Sequence, residues 1–269
     1  MTNEITLPIE LISTDFDGTL HAEHENPPVP ENLQSLIGRL QRQGTKWVIN
    51  TGRDLSSLME AIGRARLSIM PDYVVVVERE IHFHKESRFI GLEDWNRNCT
   101  LNHQQLFETI RADMPRLVEW VNARFTATIY EDPYSPFCLL AGDNKDADAI
   151  LDHLNAYAQS IPNLTVVRND VYARFSHSQY NKGTALAEVA RQLGIGRERV
   201  LAAGDHFNDL PMLSSEYAGW LAAPANAIPA VKEAVLRQQG YISQEPWGHG
   251  VADALEHLLR DYLSNDSNT

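Results

Sequence analysis

The apolar positions in the first part of the chain fall into short compact runs separated by stretches of helical periodicity. Runs of this length between turn residues predict buried strands, and apolar positions three and four residues apart predict amphipathic helices. The predicted strands are 11–14, 46–50 and 73–77, and the predicted helices are 31–43 and 55–62, the second capped by Asp54. Strand, helix, strand, helix, strand is the rhythm of a doubly wound α/β sheet.

The rhythm changes in the middle of the chain. Alternating apolar positions on both sides of Lys85-Glu86-Ser87 predict a hairpin. Beyond it, the pattern predicts helices at 104–121 and 147–158 and strands at 125–130, 137–140, 164–167 and 171–175. The last two strands are joined by Asn169-Asp170, a pair typical of tight turns. This part of the chain therefore predicts a small α+β domain with an antiparallel sheet.

The first rhythm returns where Lys182-Gly183 opens a predicted helix that runs to Leu193. Strands are then predicted at 199–203 and 219–222, and helices at 227–237 and 251–262. We therefore expect one core domain, formed by residues 1–91 and 176–269, and an α+β domain of residues 92–175 inserted into it. The expected fold class is α/β, with a doubly wound, Rossmann-like parallel sheet in the core.

Composition narrows the function classes without changing the predicted fold. With 269 residues, 43% of them hydrophobic and 22% charged, the chain is long enough for two domains. A formal net charge of -13 leaves no excess of Lys and Arg for a general binder of nucleic acids or anionic membranes. The widely spaced Cys99 and Cys138 fit a reducing compartment. Since there is no signal-peptide pattern and no apolar run near the ~18 residues that span a bilayer, we expect a soluble cytoplasmic protein.

Two carboxylates stand one residue apart where the first predicted strand ends. In an extended segment residues i and i+2 point the same way, so Asp15 and Asp17 can face one site. Acids that close repel each other unless a cation shares them. Gly18 then allows a sharp turn, and Thr19 offers a hydroxyl there. Taken alone, most D-x-D-G stretches are strands that end in an Asx-type turn, and that interpretation stays open here.

Further polar groups follow other predicted strands or open helices: Thr51 and Gly52, Lys182, and Asp205 with Asn208 and Asp209. Each of these groups also has a purely structural explanation, as a helix cap, a solvated lysine or an acidic turn. In open parallel sheets, however, ligands bind beyond the carboxyl ends of the strands, where these groups would meet. Together they would supply a nucleophile, a cation site, a positive charge and a hydroxyl, which are the groups that phosphoryl transfer needs.

The chain also resembles the haloacid dehalogenase superfamily of phosphohydrolases. The resemblance is carried, in the family's order, by D-F-D-G-T-L at 15–20, N-T-G-R at 50–53, K-G at 182–183 and G-D-H-F-N-D at 204–209. The long insert between the second and third motifs is similar to the larger cap of the Cof-like, sugar-phosphatase-related branch. The resemblance implies a small phosphorylated metabolite, expected to be a sugar phosphate, as substrate and Mg²⁺ as cofactor.

The resemblance also implies roles for individual residues. Asp15 would be the nucleophile that forms an aspartyl-phosphate, and Asp17 the general acid and base. The implied Mg²⁺ would be held by the Asp15 carboxylate, the Asp17 backbone carbonyl and Asp205, with Asp209 adjacent. Phosphoryl oxygens would be bound by Thr51, Gly52, Lys182 and Asn208. From their position near the return to the core, and not from the resemblance, the candidates for substrate specificity are Arg174, Tyr180 and Asn181.

Two departures from the family pattern and two rival functions stay open at this stage. Val77-Glu78-Arg79-Glu80 stands where related proteins tend to have an Asn-Gly step, and His21 follows the first motif in place of an apolar residue. We expect His21 to lie in a surface loop. The rivals are a sugar phosphomutase, which would return the phosphoryl group to sugar, and a catalytically idle phosphosugar-binding protein. Nothing in the sequence indicates an oligomeric state.

Overall fold

The computed structural model describes residues 7–260 and 262. It divides into two compact units, one formed by Met1–Gly91 with Lys182–Thr269 and the other by Leu92–Asn181. The second boundary falls later than the expected 175/176, because the last strand of the inserted unit runs to His177 and pairs along its whole length within that unit. Over the described residues, no helix is long and apolar enough to cross a membrane.

The helices and strands follow the predicted order, except that a two-residue strand at Tyr241–Ile242 was not predicted. The strands are β1 (Leu11–Thr14), β2 (Lys46–Asn50), β3 (Tyr73–Val76), β4 (Glu80–Lys85), β5 (Arg88–Gly91), β6 (Ala127–Asp132), β7 (Ser135–Ala141), β8 (Leu164–Asn169), β9 (Tyr172–His177), β10 (Val200–Ala203), β11 (Trp220–Ala223) and β12 (Tyr241–Ile242). The helices are α1 (Glu31–Arg42), α2 (Leu55–Ala65), α3 (Glu93–Ile110), α4 (Met114–Asn122), α5 (Asn144–Ala158), α6 (Lys182–Leu193), α7 (Pro229–Arg237) and α8 (Trp247–Leu258).

The first unit is built on an eight-stranded sheet in the order β12-β11-β10-β1-β2-β3-β4-β5. The strands from β12 to β3 are parallel, and β4 and β5 add an antiparallel hairpin at one edge. The chain builds outward from β1 in both directions, so strand order reverses between β1 and β10. The predicted doubly wound α/β class is confirmed, and the site that such a sheet offers lies beyond the carboxyl ends of β1 and β10.

Local chemistry explains why these elements form. The side chain of Asp54 accepts a hydrogen bond of 2.9 Å from the backbone N–H of Ser57, which confirms the predicted cap of α2. The hairpin of β4 and β5 turns through Glu86 and Ser87, which both adopt positive φ as a two-residue turn requires. Trp47 and Phe16 are among the largest fully buried side chains of this unit, and they anchor its core next to β1.

The second unit is an α+β domain with the antiparallel sheet order β6-β7-β9-β8. Its own core includes Phe137, Leu154 and Phe175. The helix predicted over 104–121 is wrong: α3 and α4 are separate helices, with a 3-10 turn over Arg111–Asp113 between them. Proline fits only the first turn of a helix, and Pro115 therefore begins α4 instead of continuing α3.

The closing helix of the first unit is also shifted from its prediction. Its expected span was 251–262, whereas α8 begins at Trp247 and ends at Leu258. The first turn of α8 is missing from the prediction because Gly248 and Gly250 carry no apolar side chain and so give no helical periodicity there. A Cβ at Gly250 would stand 2.3 Å from the carbonyl oxygen of Glu245. The close approach explains why glycine stands inside this helix.

Candidate active site

The loop after β1 carries the two closely spaced aspartates. Asp15 is buried, whereas Asp17 keeps 40% of its side chain exposed. Gly18 follows with a φ of +80°, and a Cβ there would stand 2.6 Å from Oδ2 of Asp205. Glycine is required because the backbone is left-handed and the neighbouring loop is in contact. Thr19 donates a hydrogen bond of 2.7 Å from Oγ1 to Oδ1 of Asp205, which joins the loops after β1 and β10.

Lys182 is the first residue of α6 and is completely buried. Its Nζ donates hydrogen bonds of 2.6 Å to Oδ1 of Asp15 and 2.6 Å to Oδ1 of Asp209. The amide of Asn50, at the end of β2, donates to the carbonyl oxygen of Lys182 at 2.9 Å. Burial favours a neutral amine, but the charges of Asp15 and Asp209 outweigh it and raise the pKa of Lys182 above its ordinary value. The lysine is therefore a fixed positive charge between two carboxylates.

Asp209 is buried and uses both of its carboxylate oxygens within the protein. Oδ1 accepts from Lys182, and Oδ2 accepts from the backbone N–H groups of Asp205 at 2.8 Å and His206 at 2.9 Å. The same side chain thus shapes the loop after β10 and holds the ammonium group in place. Asp209 lies in one cluster with Asp15 and Asp205, and its place beside a metal ion stays a prediction.

A cluster of carboxylates surrounds this lysine. One oxygen from each of Asp15, Asp205 and Asp209 lies within 4.8 Å of the others. Burial and the charge of Asp209 raise the pKa of Asp205 to about 7. Burial also raises the pKa of Asp15 above its ordinary value, against the opposing charge of Lys182. Buried acids that repel one another are stabilised by a shared cation, and hard divalent cations take oxygen ligands, so the donor set fits a divalent metal ion.

Asp17 has a different environment from Asp15. Arg53 donates to both of its carboxylate oxygens, from Nε at 2.6 Å and from Nη2 at 2.7 Å. Nδ1 of His21 lies 3.6 Å from Oδ1 of Asp17. Although burial opposes it, hydrogen bonding from His21 and Arg53 lowers the pKa of Asp17 to about 2. Asp17 is therefore ionised in this arrangement, which is the form that can accept a proton.

The expectation that His21 lies in a surface loop is wrong. Only 7% of the residue is exposed, and its ring stacks on Phe16 with the ring centroids 4.9 Å apart. A backbone bridge between Asp17 and His21 turns the chain back and places the imidazole against Phe16 and Asp17. The position of this histidine depends on the turn at Gly18, which the residue pattern alone does not specify.

The loops after β2 and β10 bring together the remaining residues expected to bind phosphate. Thr51 is buried, and its Oγ1 accepts a hydrogen bond of 3.2 Å from the backbone N–H of Arg53. A Cβ at Gly52 would be 3.9 Å from Nδ2 of Asn208 and 3.3 Å from Oε1 of Glu78. All the core residues expected in the site belong to the first unit: Asp15, Asp17, Thr51, Gly52, Lys182, Asp205, Asn208 and Asp209.

Glu78 and Arg53 belong to this group, although sequence reasoning assigned neither of them a role. Oε1 of Glu78 accepts a hydrogen bond of 3.0 Å from Nδ2 of Asn208. The available signal for Glu78 was its place in the departure from the Asn-Gly step. The signal for Arg53 was its place inside the N-T-G-R motif, one residue beyond the glycine. Arg53 follows the end of β2 and Glu78 follows the end of β3, and these two strand ends become neighbours only in the folded sheet.

The specificity candidates lie in the second unit and are buried to different degrees. Arg174 is a buried residue of β9, and Asn181 donates from Nδ2 to the carbonyl oxygen of Ser178 at 3.0 Å. The hydroxyl of Tyr180 accepts a hydrogen bond of 2.6 Å from Nδ2 of Asn102. The contacts of Tyr180 and Asn181 within their own unit stabilise its carboxyl-terminal turn, and a role in substrate recognition stays a prediction for all three candidates.

The family model for haloacid dehalogenase-like hydrolases matches residues 12–78 and 80–255. The Bacillus subtilis protein YxeH is 27% identical, with 93% of this chain and 98% of YxeH covered. The 5-amino-6-(5-phospho-D-ribitylamino)uracil phosphatase YcsE of the same organism is 26% identical over 93% of this chain and 96% of its own. The sucrose-phosphatase of Synechocystis sp. PCC6803, solved with sucrose and phosphate, superposes with a TM-score of 0.70 at 18% identity, covering 94% of this chain and 98% of that one.

Proposed function

Because this chain belongs to the haloacid dehalogenase-like hydrolase family, in its Cof-like branch, we propose that it is a Mg²⁺-dependent phosphatase of small phosphorylated metabolites. The reaction would pass through an aspartyl-phosphate on Asp15. The observation that carries the proposal is the buried Lys182, which joins Asp15 to Asp209 within the cluster that also contains Asp205. A pure binding protein gains nothing from this arrangement, since its clustered acids would repel a phosphate.

The first half of the reaction would form the covalent intermediate. An oxygen of the Asp15 carboxylate attacks phosphorus, and the bond between phosphorus and the leaving-group oxygen breaks. The leaving oxygen takes a proton from Asp17. Because Arg53 holds Asp17 ionised, we expect Arg53 to release it and Asp17 to take up a proton from solvent before this proton transfer.

The second half would return Asp15 to its starting state. Asp17, now ionised, takes a proton from water, and the water oxygen attacks phosphorus of the aspartyl-phosphate. The bond between phosphorus and the Asp15 oxygen breaks, inorganic phosphate leaves, and the proton remains on Asp17 for the next cycle. The ionised form that Arg53 and His21 stabilise is the form needed for this second half.

The other residues of the site would offset the negative charge of the phosphate and bind its oxygens. Asp15, Asp205 and the backbone carbonyl of Asp17 would hold Mg²⁺, with Asp209 adjacent, and the bound ion would offset the repulsion between the nucleophile and the phosphate. Lys182 would offset the same repulsion from inside the protein. Groups that bind the phosphoryl oxygens would be Thr51, Gly52, Lys182 and Asn208.

A sugar or polyol phosphate is the substrate class that we propose. Two relatives support it, since YcsE is named for a phosphorylated ribityl compound and the Synechocystis protein for sucrose phosphate. The first name describes a ribityl group and the second describes sucrose. The second unit, Leu92–Asn181, would determine which leaving group is accepted, with Arg174, Tyr180 and Asn181 as candidate contacts.

Phosphate release across a panel of sugar, polyol and nucleotide monophosphates, with Mg²⁺ and with excess chelator, tests the proposal. We expect release with Mg²⁺ from at least one sugar or polyol phosphate and loss of release with chelator. Asp15→Asn should abolish turnover while the melting temperature shows a folded protein. The exposed Asp152→Asn is the matched control and should keep full activity. Unchanged turnover in Asp15→Asn would exclude the nucleophile, and isomer formation without phosphate release would show a mutase.

A further inference from the structure

The connection between β3 and β4 has an unusual backbone. Val77 and Glu78 both adopt left-handed conformations, with φ of 44° and 67°. Residues with a Cβ disfavour this region, and β-branched valine disfavours it most. Two backbone hydrogen bonds hold the connection in place: Val77 N–H donates to the carbonyl oxygen of Arg53 at 2.8 Å, and Glu78 N–H donates to that of Thr51 at 2.9 Å. The strained turn is thus fastened to the loop expected to bind phosphate.

This backbone places the Glu78 carboxylate between two loops of the site. Glu78 is only 6% exposed. Its Oε1 accepts the hydrogen bond of 3.0 Å from Nδ2 of Asn208 and would stand 3.3 Å from a Cβ on Gly52. The carboxylate therefore reaches both the loop after β2 and the loop after β10.

A carboxylate fixes the orientation of the amide that it contacts. An ionised carboxylate only accepts hydrogen bonds, so the NH₂ end of Asn208 must face Glu78. The Oδ1 atom of Asn208 then lies on the other side, where it is buried without a hydrogen-bond partner among residues 7–260 and 262. One N–H of Nδ2 is used by Glu78, and the other is left to donate elsewhere.

We propose that Glu78 is a positioning residue that locks the amide of Asn208, so that the second N–H of Nδ2 is presented to the phosphoryl group of the substrate. The inference rests on the proposed function, because it assigns a phosphoryl group to this site.

The positioning role predicts different phosphate affinities for Glu78→Gln and Glu78→Ala. A negative charge close to a phosphate dianion repels it, so removing the charge alone should not weaken binding. Glutamine keeps an acceptor oxygen at the same reach, so the same orientation of the Asn208 amide stays available, whereas alanine removes the acceptor and leaves that amide free to turn. A hydrogen bond to a charged group is worth about tenfold or more in affinity. A purely electrostatic role would instead make both variants bind phosphate more tightly.

The experiment measures the affinity for inorganic phosphate by calorimetry with Mg²⁺ present, together with kcat and KM on the best substrate of the panel. We expect Glu78→Ala to bind phosphate about tenfold or more weakly and to raise KM more than it lowers kcat. Glu78→Gln should stay within about threefold of the wild type or bind more tightly. Asn208→Ala should lose as much as Glu78→Ala, and the double variant should lose no more than either.

Glu86→Ala is the matched control, because Glu86 is also a left-handed glutamate but is exposed in the turn between β4 and β5. It should leave phosphate affinity unchanged. If Glu78→Ala does not fold, Glu78→Asp replaces it, since aspartate keeps the charge but shortens the reach, and it should weaken binding in the same way.

Several outcomes would overturn the positioning role. Additive losses in the double variant, unchanged or tighter phosphate binding by Glu78→Ala, or a lower melting temperature with unchanged affinity would each do so. These results would leave the phosphatase assignment intact, provided that the wild type releases phosphate. A wild type that neither binds inorganic phosphate nor releases it from any substrate would overturn both proposals.

Discussion

Asp205 is a residue of the candidate site whose burial opposes its own ionisation. It is buried beside Asp209, and these two effects raise its pKa to about 7 from an ordinary 3.8. A group whose pKa is raised on folding binds more protons in the folded state than in the unfolded state. Its ionisation therefore opposes folding above its ordinary pKa, and the metal-free protein should gain stability as the pH falls from 8 to 6.

Replacing Asp205 with Asn should stabilise the metal-free protein. The amide oxygen of asparagine still accepts the hydrogen bond from Thr19, and the repulsion with Asp209 is removed. We expect a gain on the order of 1–3 kcal/mol at pH 8, a smaller gain at pH 6, and a weaker stabilisation by MgCl₂. Thermal unfolding in chelator and in MgCl₂ at both pH values measures this. A lower melting temperature for Asp205→Asn in chelator would contradict it.

Arg53 should determine the ionisation of Asp17. Hydrogen bonds from His21 and Arg53 hold the pKa of Asp17 near 2, so removing the guanidinium should move it upward toward its ordinary value. The carboxyl carbon of Asp17 in ¹³C-aspartate-labelled protein, assigned by comparison with Asp17→Asn, reports this pKa by NMR titration. Arg53→Ala should raise it, while Arg64→Ala, an exposed arginine paired with Glu60, should not. Equal titration curves in all variants would disprove the coupling.

At the scale of elements, the start of α6 is packed too closely for any side chain at Gly183. A Cβ there would stand 2.4 Å from the carbonyl oxygen of Pro211 and 2.6 Å from the ring of Tyr217. Because Gly183 follows Lys182, any displacement of the helix start also moves the ammonium group. Gly63 in α2 is the opposite case, since it is exposed and a Cβ there would meet nothing within 4 Å.

Gly183→Ala and Gly63→Ala should therefore change stability in opposite directions. Overpacking against backbone costs about 1–3 kcal/mol, so Gly183→Ala should lower both the melting temperature and kcat. Alanine favours an exposed helix by about 1 kcal/mol over glycine, so Gly63→Ala should raise the melting temperature and leave kcat unchanged. Thermal unfolding and steady-state kinetics of the two variants check this. A stable, fully active Gly183→Ala protein would show that the contact relaxes.

The elements also show where local pattern reaches its limit. The run of valines correctly predicts β3, but Val77 leaves the strand and turns left-handed because its N–H bonds to the carbonyl oxygen of Arg53. Pro115 is visible in the sequence, yet the apolar spacing on both sides of it favoured one helix. The periodicity of apolar residues indicates which face of a helix or strand is buried. Where that helix or strand ends depends on backbone hydrogen bonds, which the periodicity does not describe.

For the whole molecule, the inserted unit should fold by itself. Leu92–Asn181 is one continuous segment with its own antiparallel sheet and its own core of apolar side chains. We expect the excised segment to give a cooperative thermal transition and a mixed α and β circular dichroism spectrum, since a domain of this size can bury a sufficient core. A segment that binds hydrophobic dyes and melts without cooperativity would show that it depends on the first unit.

The sequence by itself determined the α/β class, the inserted α+β unit and the residues that gather at the site. It could do so because Asp15, Asp17, Lys182 and Asp205 stand at strand ends or at a helix start, and a parallel sheet brings these ends to one edge. The motifs added their order along the chain and hence the family. Strand ends, helix starts and the order of motifs can be read from the spacing of residues along the chain, so they do not require the tertiary structure.

Only the tertiary structure decided which of these side chains contact one another. It paired Arg53 with Asp17, buried His21 against Phe16 and brought Glu78 to Asn208. Each contact joins loops that follow different strands or reverses the chain within a turn. The physical reason is that the ionisation and hydrogen bonding of a side chain depend on how close its partners lie and how deeply they are buried. The strand order brings these partners together, so neither the distance nor the burial can be read from the spacing of residues along one segment.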